Sequence, residues 1–348
     1  MPRISPETLR SIAADLLEAS GSPRDEAETV ARHCVEANLA GHDSHGIIQI
    51  PTYCDRIEKG HIVPGAKFDI VQESATTTVV DAHWGFGYVQ TERAMQMTIE
   101  KAKTQNVAAT TIYRQGHVGR VAAYPLMAAE AGMIGLMTAD SGRAPKQVAP
   151  FGGREARLGT NPISIAVPSN LEGPLFFDLS TAAAAAGKIK LAQARGEHVP
   201  PGWLIGADGE PTTDPGVLGN GGALLPLGGD VGFKGYALSA MVEIMSALLT
   251  GLGFGVEPTG RHNDGCFIAC FKVEAFRDLA TFKQEVADFG AYLKSTPPAS
   301  GFSEVYYPGE VEHLRKKERL AKGVEIEDAT WEKLGQLAGK LGLPAIQA

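Results

Sequence analysis

Two kinds of apolar periodicity divide this chain, and their order constrains the fold more than any single motif. Residues 5–60 carry helical spacing, which predicts helices near 6–19, 23–40 and 50–59. From Ile70 the texture changes. Thr76-Thr77-Thr78-Val79-Val80-Asp81 is a β-rich run, and further strands are expected at 107–113, 134–138, 163–168, 175–179 and 266–273. Helices are expected between them at 90–103, 122–131 and 235–249, and two more, near 281–293 and 328–341, close the chain. Strands and helices alternate irregularly, with helical ends bracketing a β-rich middle and no internal repeat. That order predicts a mixed α+β core with a helical layer built from both termini. The expected division is a helical domain of residues 1–72 plus 300–348. Residues 73–299 would form the α+β region, with a Gly/Pro-rich segment at 189–230 marked by turn signals at Ala207-Asp208-Gly209 and Thr213-Asp214-Pro215-Gly216.

The 348 residues suffice to bury a sizeable core. A formal charge of −8 argues against a nucleic-acid or anionic-membrane partner. Cys34, Cys54, Cys266 and Cys270 form no CxxC pair, and Cys266 and Cys270 are spaced to share one strand face, so a reducing cytoplasm is expected. Ser5-Pro6-Glu7 opens an amphipathic helix rather than a secretory apolar core. The most membrane-like stretch, 235–256, contains Glu243 and ends in Gly251-Leu252-Gly253-Phe254-Gly255, which reads as a buried helix ending in a turn.

Gly41-His42-Asp43-Ser44-His45-Gly46-Ile47 packs two histidines, a carboxylate and a hydroxyl into consecutive positions. Histidine titrates nearest neutrality, and turns held by rigid elements are where catalytic groups tend to sit. The run follows a helix expected to begin at the Ser22-Pro23-Arg24-Asp25 cap, so a hydrated helix C-cap is the competing reading. Gly85-Phe86-Gly87-Tyr88-Val89-Gln90 nearly spells a dinucleotide-binding GxGxxG. Gln90 stands where a small residue is needed and no acidic residue follows at the right distance, which favours a structural turn. His42, Asp43, His45, His61, His83 and His117 lack metal-ligand spacing, so no metal is expected. Gln115-Gly116-His117-Val118-Gly119-Arg120 lies between a strand and a helix. It is expected to leave backbone N–H groups free for a phosphate or carboxylate, with Arg120 adding charge; an ordinary turn is the alternative. Lys234, flanked by Gly232 and Gly235 at a helix start, could meet an anion, and Thr160 in Gly159-Thr160-Asn161-Pro162 could orient a ligand.

Taken in order, Asp43-Ser44-His45-Gly46, Gly116-His117-Val118-Gly119, Gly159-Thr160-Asn161-Pro162, Phe177-Asp178-Leu179-Ser180-Thr181, Gly187-Lys188-Ile189, Asp208-Gly209-Glu210-Pro211, Phe233-Lys234-Gly235-Tyr236 and Pro308-Gly309-Glu310 resemble the type-2 malate/L-lactate dehydrogenase family (the sulfolactate dehydrogenase-like oxidoreductases) over essentially the whole chain. Ser44-His45-Gly46-Ile47 followed by Ile50-Pro51-Thr52-Tyr53 is most similar to the hydroxycarboxylate dehydrogenase B branch. The resemblance implies a non-Rossmann, largely antiparallel sheet wrapped by helices, with a helical domain from both chain ends. It also implies a homodimer using NADH or NADPH on a small 2-oxo or 2-hydroxy acid. His45 would be the general acid/base and Ser44 its orienter. His117, Val118, Gly119, Arg120, Val121, Asp178, Leu179, Ser180, Phe233 and Lys234 would contact the cofactor. Thr160, Gln49 and Arg120 would contact substrate. Gln49 stands where many relatives clamp the substrate carboxylate with arginine, so the charged bidentate contact is lost, and Arg120 or Arg143 is left to compensate. Lys188 stands where imine-reducing relatives carry aspartate, which weakens a cyclic imino-acid reductase on this scaffold. That reductase is the alternative within enzymes; a non-catalytic ligand-binding relative is the alternative outside them.

Overall fold

The computed structural model describes residues 1–140, 145–256, 259–261 and 263–347. The chain opens with β1 (Arg3–Ile4), α1 (Pro6–Ala19), α2 (Arg24–Leu39) and α3 (Ile50–Glu58). The middle holds β2 (Asp69–Glu73), β3 (Thr77–Gly85), α4 (Gly87–Gln105), β4 (Val107–Gln115), α5 (Ala123–Glu130), β5 (Met133–Asp140), β6 (Ile163–Val167) and β7 (Leu175–Leu179). Then come α6 (Ala186–Arg195), the short β8 (Leu204–Ile205), β9 (Pro211–Thr212) and β10 (Ala223–Leu224), α7 (Phe233–Glu243) and β11 (Gly265–Lys272). The chain closes with α8 (Leu279–Lys294), α9 (Glu310–Lys322), β12 (Val324–Glu325) and α10 (Asp328–Lys340).

The two ends meet. Strand β1 pairs antiparallel with β12, and Leu9, Leu17, Val30, Val35 and Tyr53 share one buried cluster with Val324, Ile326, Leu334 and Ala338. The main sheet has seven strands in the order β2-β3-β4-β11-β5-β6-β7. Its one parallel pair is β3 with β4, joined by the α4 crossover, and every other neighbour is antiparallel. Helices α4 and α5 cover one face through Met95, Ile99, Tyr124 and Ala128, and Cys266 and Cys270 point into the same cluster, as their spacing predicts. No helix among the described residues is long and apolar enough to cross a membrane.

Several local expectations are corrected. Helix α2 does begin within the expected Ser22-Pro23-Arg24-Asp25 segment, but its N-cap is Pro23 and makes no side-chain cap bond. Among the elements that escape the sequence reading, three do so for plain physical reasons. All five β2 residues are exposed, so no alternation marks it. α6 interrupts the segment expected to be turns, and α9 is so charged that its apolar stripe is thin. The long apolar helix is α-helical only to Glu243 and continues as one π-helical stretch, Ile244–Leu248. The near-GxGxxG is structural: a Cβ on Gly87 would lie 2.1 Å from the Gly116 carbonyl oxygen, and the buried Gln90 amide donates to the Ala66 carbonyl at 3.1 Å. The glycines let the start of α4 press against the turn that carries His117.

Candidate active site

The turn after α2 is a built object. Gly41 takes φ +85°, and Asp43–His45 form one 3-10 turn. Asn38 braces it twice: its Nδ2 donates to Asp43 Oδ1 at 2.7 Å and its Oδ1 accepts from the Ile47 N–H at 2.9 Å. Arg319 of α9 grips Asp43 with both guanidinium arms, at 2.7 and 3.1 Å. Gly46 has to be glycine, because a Cβ there would lie 2.3 Å from the Asn38 amide. Asp43 therefore anchors the turn, while its neighbours stay available for chemistry.

Ser44 Oγ lies 3.2 Å from His45 Nδ1, and the His45 ring stacks on His117 with centroids 5.6 Å apart at 19°. Burial lowers the His45 pKa below its usual value of 6.5, the Asp178 carboxylate pulls it back up, and His42 and Arg120 push it further down. His45 is thus neutral at neutral pH. Gln49 spends its amide nitrogen on the Ser44 carbonyl at 2.7 Å, bracing the turn. On the facing side, Tyr53 OH is 2.8 Å from His117 Nδ1.

The expected anion cradle at 115–120 is corrected in part. Gly116 and Gly119 are buried, and two N–H groups in and just after the turn are taken by the chain's own carboxylates. The Val118 N–H donates to Asp264 at 3.0 Å and the Ala122 N–H to Asp178 at 2.8 Å. Arg120 is placed to meet an anion: it lies over the Phe176 ring at 5.0 Å, and its Nε is buried without a hydrogen-bond partner. Burial lowers its pKa, opposed by Asp178, Glu312 and Glu36.

His45, Ser44, Gln49, His117, Arg120 and Asp178 thus come together. Leu179 continues β7 opposite Ile163, and Ser180 Oγ donates to the Thr160 carbonyl at 3.0 Å, which fixes Thr160 at the end of that strand pair. Val121 packs in the core beside Tyr124. Phe233 and Lys234 are exposed at the start of α7, Phe233 edge-on to Phe151 at 6.0 Å with Lys234 Nζ 6.0 Å from its ring. Among the described residues, no hydrogen bond, ion pair or ring contact joins either to His45. Lys188 lies exposed in the first turn of α6, and a Cβ on the neighbouring Gly187 would be in ordinary contact with the Ser44 Cβ at 3.8 Å. Arg143 lies outside the described residues.

Sequence reasoning missed a second buried cluster. Lys146 Nζ sits 3.0 Å from Glu243 and 3.7 Å from Asp140, while Asn161, at φ +41°, donates to Glu243 at 2.9 Å. Burial pushes the Asp140 carboxyl well up, and that of Asp264 to about 7. Nothing local marks them as one cluster, since Asp140 ends β5, Glu243 ends α7, and Lys146, Asn161 and Asp264 lie in connecting segments that only folding brings together.

A sequence model described as malate/L-lactate dehydrogenase matches residues 4–335. The chain belongs to this family. Within the malate/L-lactate dehydrogenase family, it is 34% identical over 350 residues to hydroxycarboxylate dehydrogenase B of Escherichia coli O157:H7, covering 98% of this chain and 95% of that one. The crystal structure of malate dehydrogenase from Entamoeba histolytica superposes with a TM-score of 0.94 at 34% identity, covering 99% of both chains. That of delta1-piperideine-2-carboxylate reductase from Pseudomonas syringae pvar. tomato superposes with a TM-score of 0.85 at 29% identity, covering 97% of this chain and 100% of that one. Three differently named activities thus share one scaffold with this family member, so family alone does not choose the substrate.

Proposed function

We propose that the chain interconverts 2-oxo acids and 2-hydroxy acids by hydride transfer with NADH or NADPH, with His45 as general acid/base. The observation that carries this reading is the Ser44–His45 pair, braced by Asn38, Gln49 and Arg319 and facing His117 and Arg120. The residues fit a nicotinamide cofactor in one respect that geometry supports: the buried, unpartnered Arg120 Nε suits an anionic phosphate or carboxylate. His117, Val118, Gly119, Arg120, Val121, Asp178, Leu179, Ser180, Phe233 and Lys234 would hold it. When bound, the nicotinamide supplies the hydride donor or acceptor.

The chain's own residues do the rest. In the oxidative direction, neutral His45 accepts the substrate hydroxyl proton at Nε2, while its Nδ1–H donates to Ser44 Oγ. In the reductive direction the imidazolium returns that proton to the developing alkoxide. Burial of His45 favours its neutral form, which readies it as a base. Thr160 would contact the substrate. Gln49 holds the turn with its amide and brings no charge, so Arg120 is left to meet the substrate carboxylate.

A homodimer, a helical domain of 1–72 plus 300–348, and a departure from the doubly wound dinucleotide fold complete the proposal. The joined ends and the single parallel strand pair support the last two. The test is oxidation of NADH and NADPH across a panel of 2-oxo acids and cyclic imines. Turnover of 2-oxo acids is expected. Activity confined to cyclic imines overturns the substrate class in favour of the reductase reading, and silence on both leaves a binding protein.

A further inference from the structure

Two acids and one base are buried together where β5, the segment 159–161 and α7 meet. Asp140, the last residue of β5, is fully buried; Glu243, the last residue of α7, is 6% exposed, and the Lys146 side chain 5%. Both Glu243 oxygens are occupied: Lys146 Nζ donates to Oε1 at 3.0 Å and Asn161 Nδ2 to Oε2 at 2.9 Å. An ammonium and an amide are the donor set of a carboxylate, so Glu243 carries the charge that Lys146 balances. Asp140 lies 3.7 Å from Lys146, too far for a hydrogen bond, and within hydrogen-bonding reach of Glu243.

The charged and titratable groups facing Asp140 are Lys146, Glu243, Asp264 and the Cys266 thiol of β11. Burial raises the Asp140 carboxyl to about 8, with Lys146 opposing and Glu243 and Asp264 adding to it. Asp140 is therefore protonated at neutrality and donates to Glu243. What the cluster holds is Asn161, whose φ of +41° a non-glycine residue keeps only where its surroundings fix it. Its amide is fixed by two acceptors on α7, Glu243 and the Ser239 carbonyl at 3.0 Å. Thr181 Oγ1 then ties the Asn161 carbonyl at 3.0 Å to that of Thr160 at 3.1 Å.

We propose that Asp140 and Glu243 form a proton-operated latch: with a proton between them, α7 holds Asn161 and the Thr160 strand end, and loss of that proton releases α7 from this segment. This goes beyond the dehydrogenase reading and does not depend on it. Two ionised carboxylates would repel each other over a single ammonium, and parting them relieves the repulsion. Asp140 is held in β5 opposite Gly265, whereas Glu243 sits where α7 passes into its π-helical stretch. Glu243 is thus the one that moves, and its bond to Asn161 goes with it.

The test compares full-length wild type with Asp140→Asn, whose amide keeps the shape and the donated hydrogen bond but does not ionise. A carboxyl raised by folding stabilises the native state below its unfolded pKa, and that contribution is lost as pH rises to the folded value. In urea unfolding, the ratio of the variant's folding constant to the wild type's should therefore grow by up to about tenfold per pH unit between about pH 5 and pH 8, then level off. A variant less stable than wild type at neutral pH, or a ratio constant over that range, overturns the proposal. Hydrogen exchange, corrected for its intrinsic pH dependence, reads the release itself. From about pH 7 to about pH 9, wild-type residues 157–164 and 234–248 should lose protection while β3 and β4 keep theirs, and Asp140→Asn should show no such loss. Wild-type protection that is unchanged, or lost equally everywhere, overturns the latch. If the variant fails to fold, the wild-type exchange pattern still decides.

Discussion

His45 is poised by four influences: burial and the neighbouring His42 and Arg120 disfavour its cation, and Asp178 favours it. The first set wins, which has a sign that kinetics can read. A base must be neutral to accept a proton, so kcat/KM for 2-hydroxy-acid oxidation should be flat through neutrality and fall only below the usual histidine value of 6.5. A midpoint above that value would remove His45 as the group observed. His45→Asn should lower kcat about 100- to 10,000-fold while leaving cofactor binding, followed by nicotinamide fluorescence, close to wild type. The Ser44–His45 pair was legible because its members are adjacent in the chain and sit on a glycine-bounded turn. Tyr53 was not, because it meets His117 across 64 positions and reads as an ordinary core aromatic on α3.

Elements are tied together by polar contacts, and the one between α2 and α4 depends on pH. Glu92 of α4 receives His33 at 2.6 Å and Arg32 at 2.7 Å, both from α2. Burial raises the Glu92 pKa, but the hydrogen bonds from His33 and Arg32 outweigh it and hold the carboxyl at about 2 against a usual 4.5. A carboxyl depressed by folding stabilises the native state above its unfolded pKa, and that stabilisation is lost as pH falls from about 4.5 towards 2. Glu92→Gln should cost about 1–3 kcal/mol in urea unfolding at neutral pH, with the gap to wild type shrinking near pH 3. A gap that stays constant with pH would show that packing, not charge, is what the substitution removes. The helices and strands with strong periodicity were readable, as α1 to α5 and β3 to β7 attest, because one face of each is buried. The order in which strands pair was not. Strand β11 lies between β4 and β5, although more than 120 residues separate it from either, and only packing of the finished sheet selects that place.

At the scale of the whole molecule, the helix that starts at Phe233 carries an apolar stripe without a cover among the described residues. Along α7 and its π-helical continuation, Phe233, Ala237, Met241, Ile244 and Leu248 recur at steps of four, four, three and four, and all are exposed, Met241 by 52%, Ile244 by 43% and Leu248 by 45%. Such a stripe on a helix whose opposite side is already packed on β5 and β11 calls for a partner, and a second copy meets the expectation of a homodimer. The π-helical stretch adds to this by turning Glu243 and Ser246 inward, towards Lys146 and Thr138, while Ile244 and Leu248 remain outside. Replacing Ile244 and Leu248 together by lysine should convert a dimer to a monomer in light scattering, since two buried ammonium groups oppose reassociation. The helix carrying this stripe begins with Phe233 and Lys234, so the same variant should weaken cofactor binding more than it weakens folding. A wild-type chain that runs as a monomer at micromolar concentration would sink the dimer. A monomeric variant with unchanged cofactor affinity would separate the interface from Lys234 and place the cofactor wholly within one chain's His117–Asp178 side.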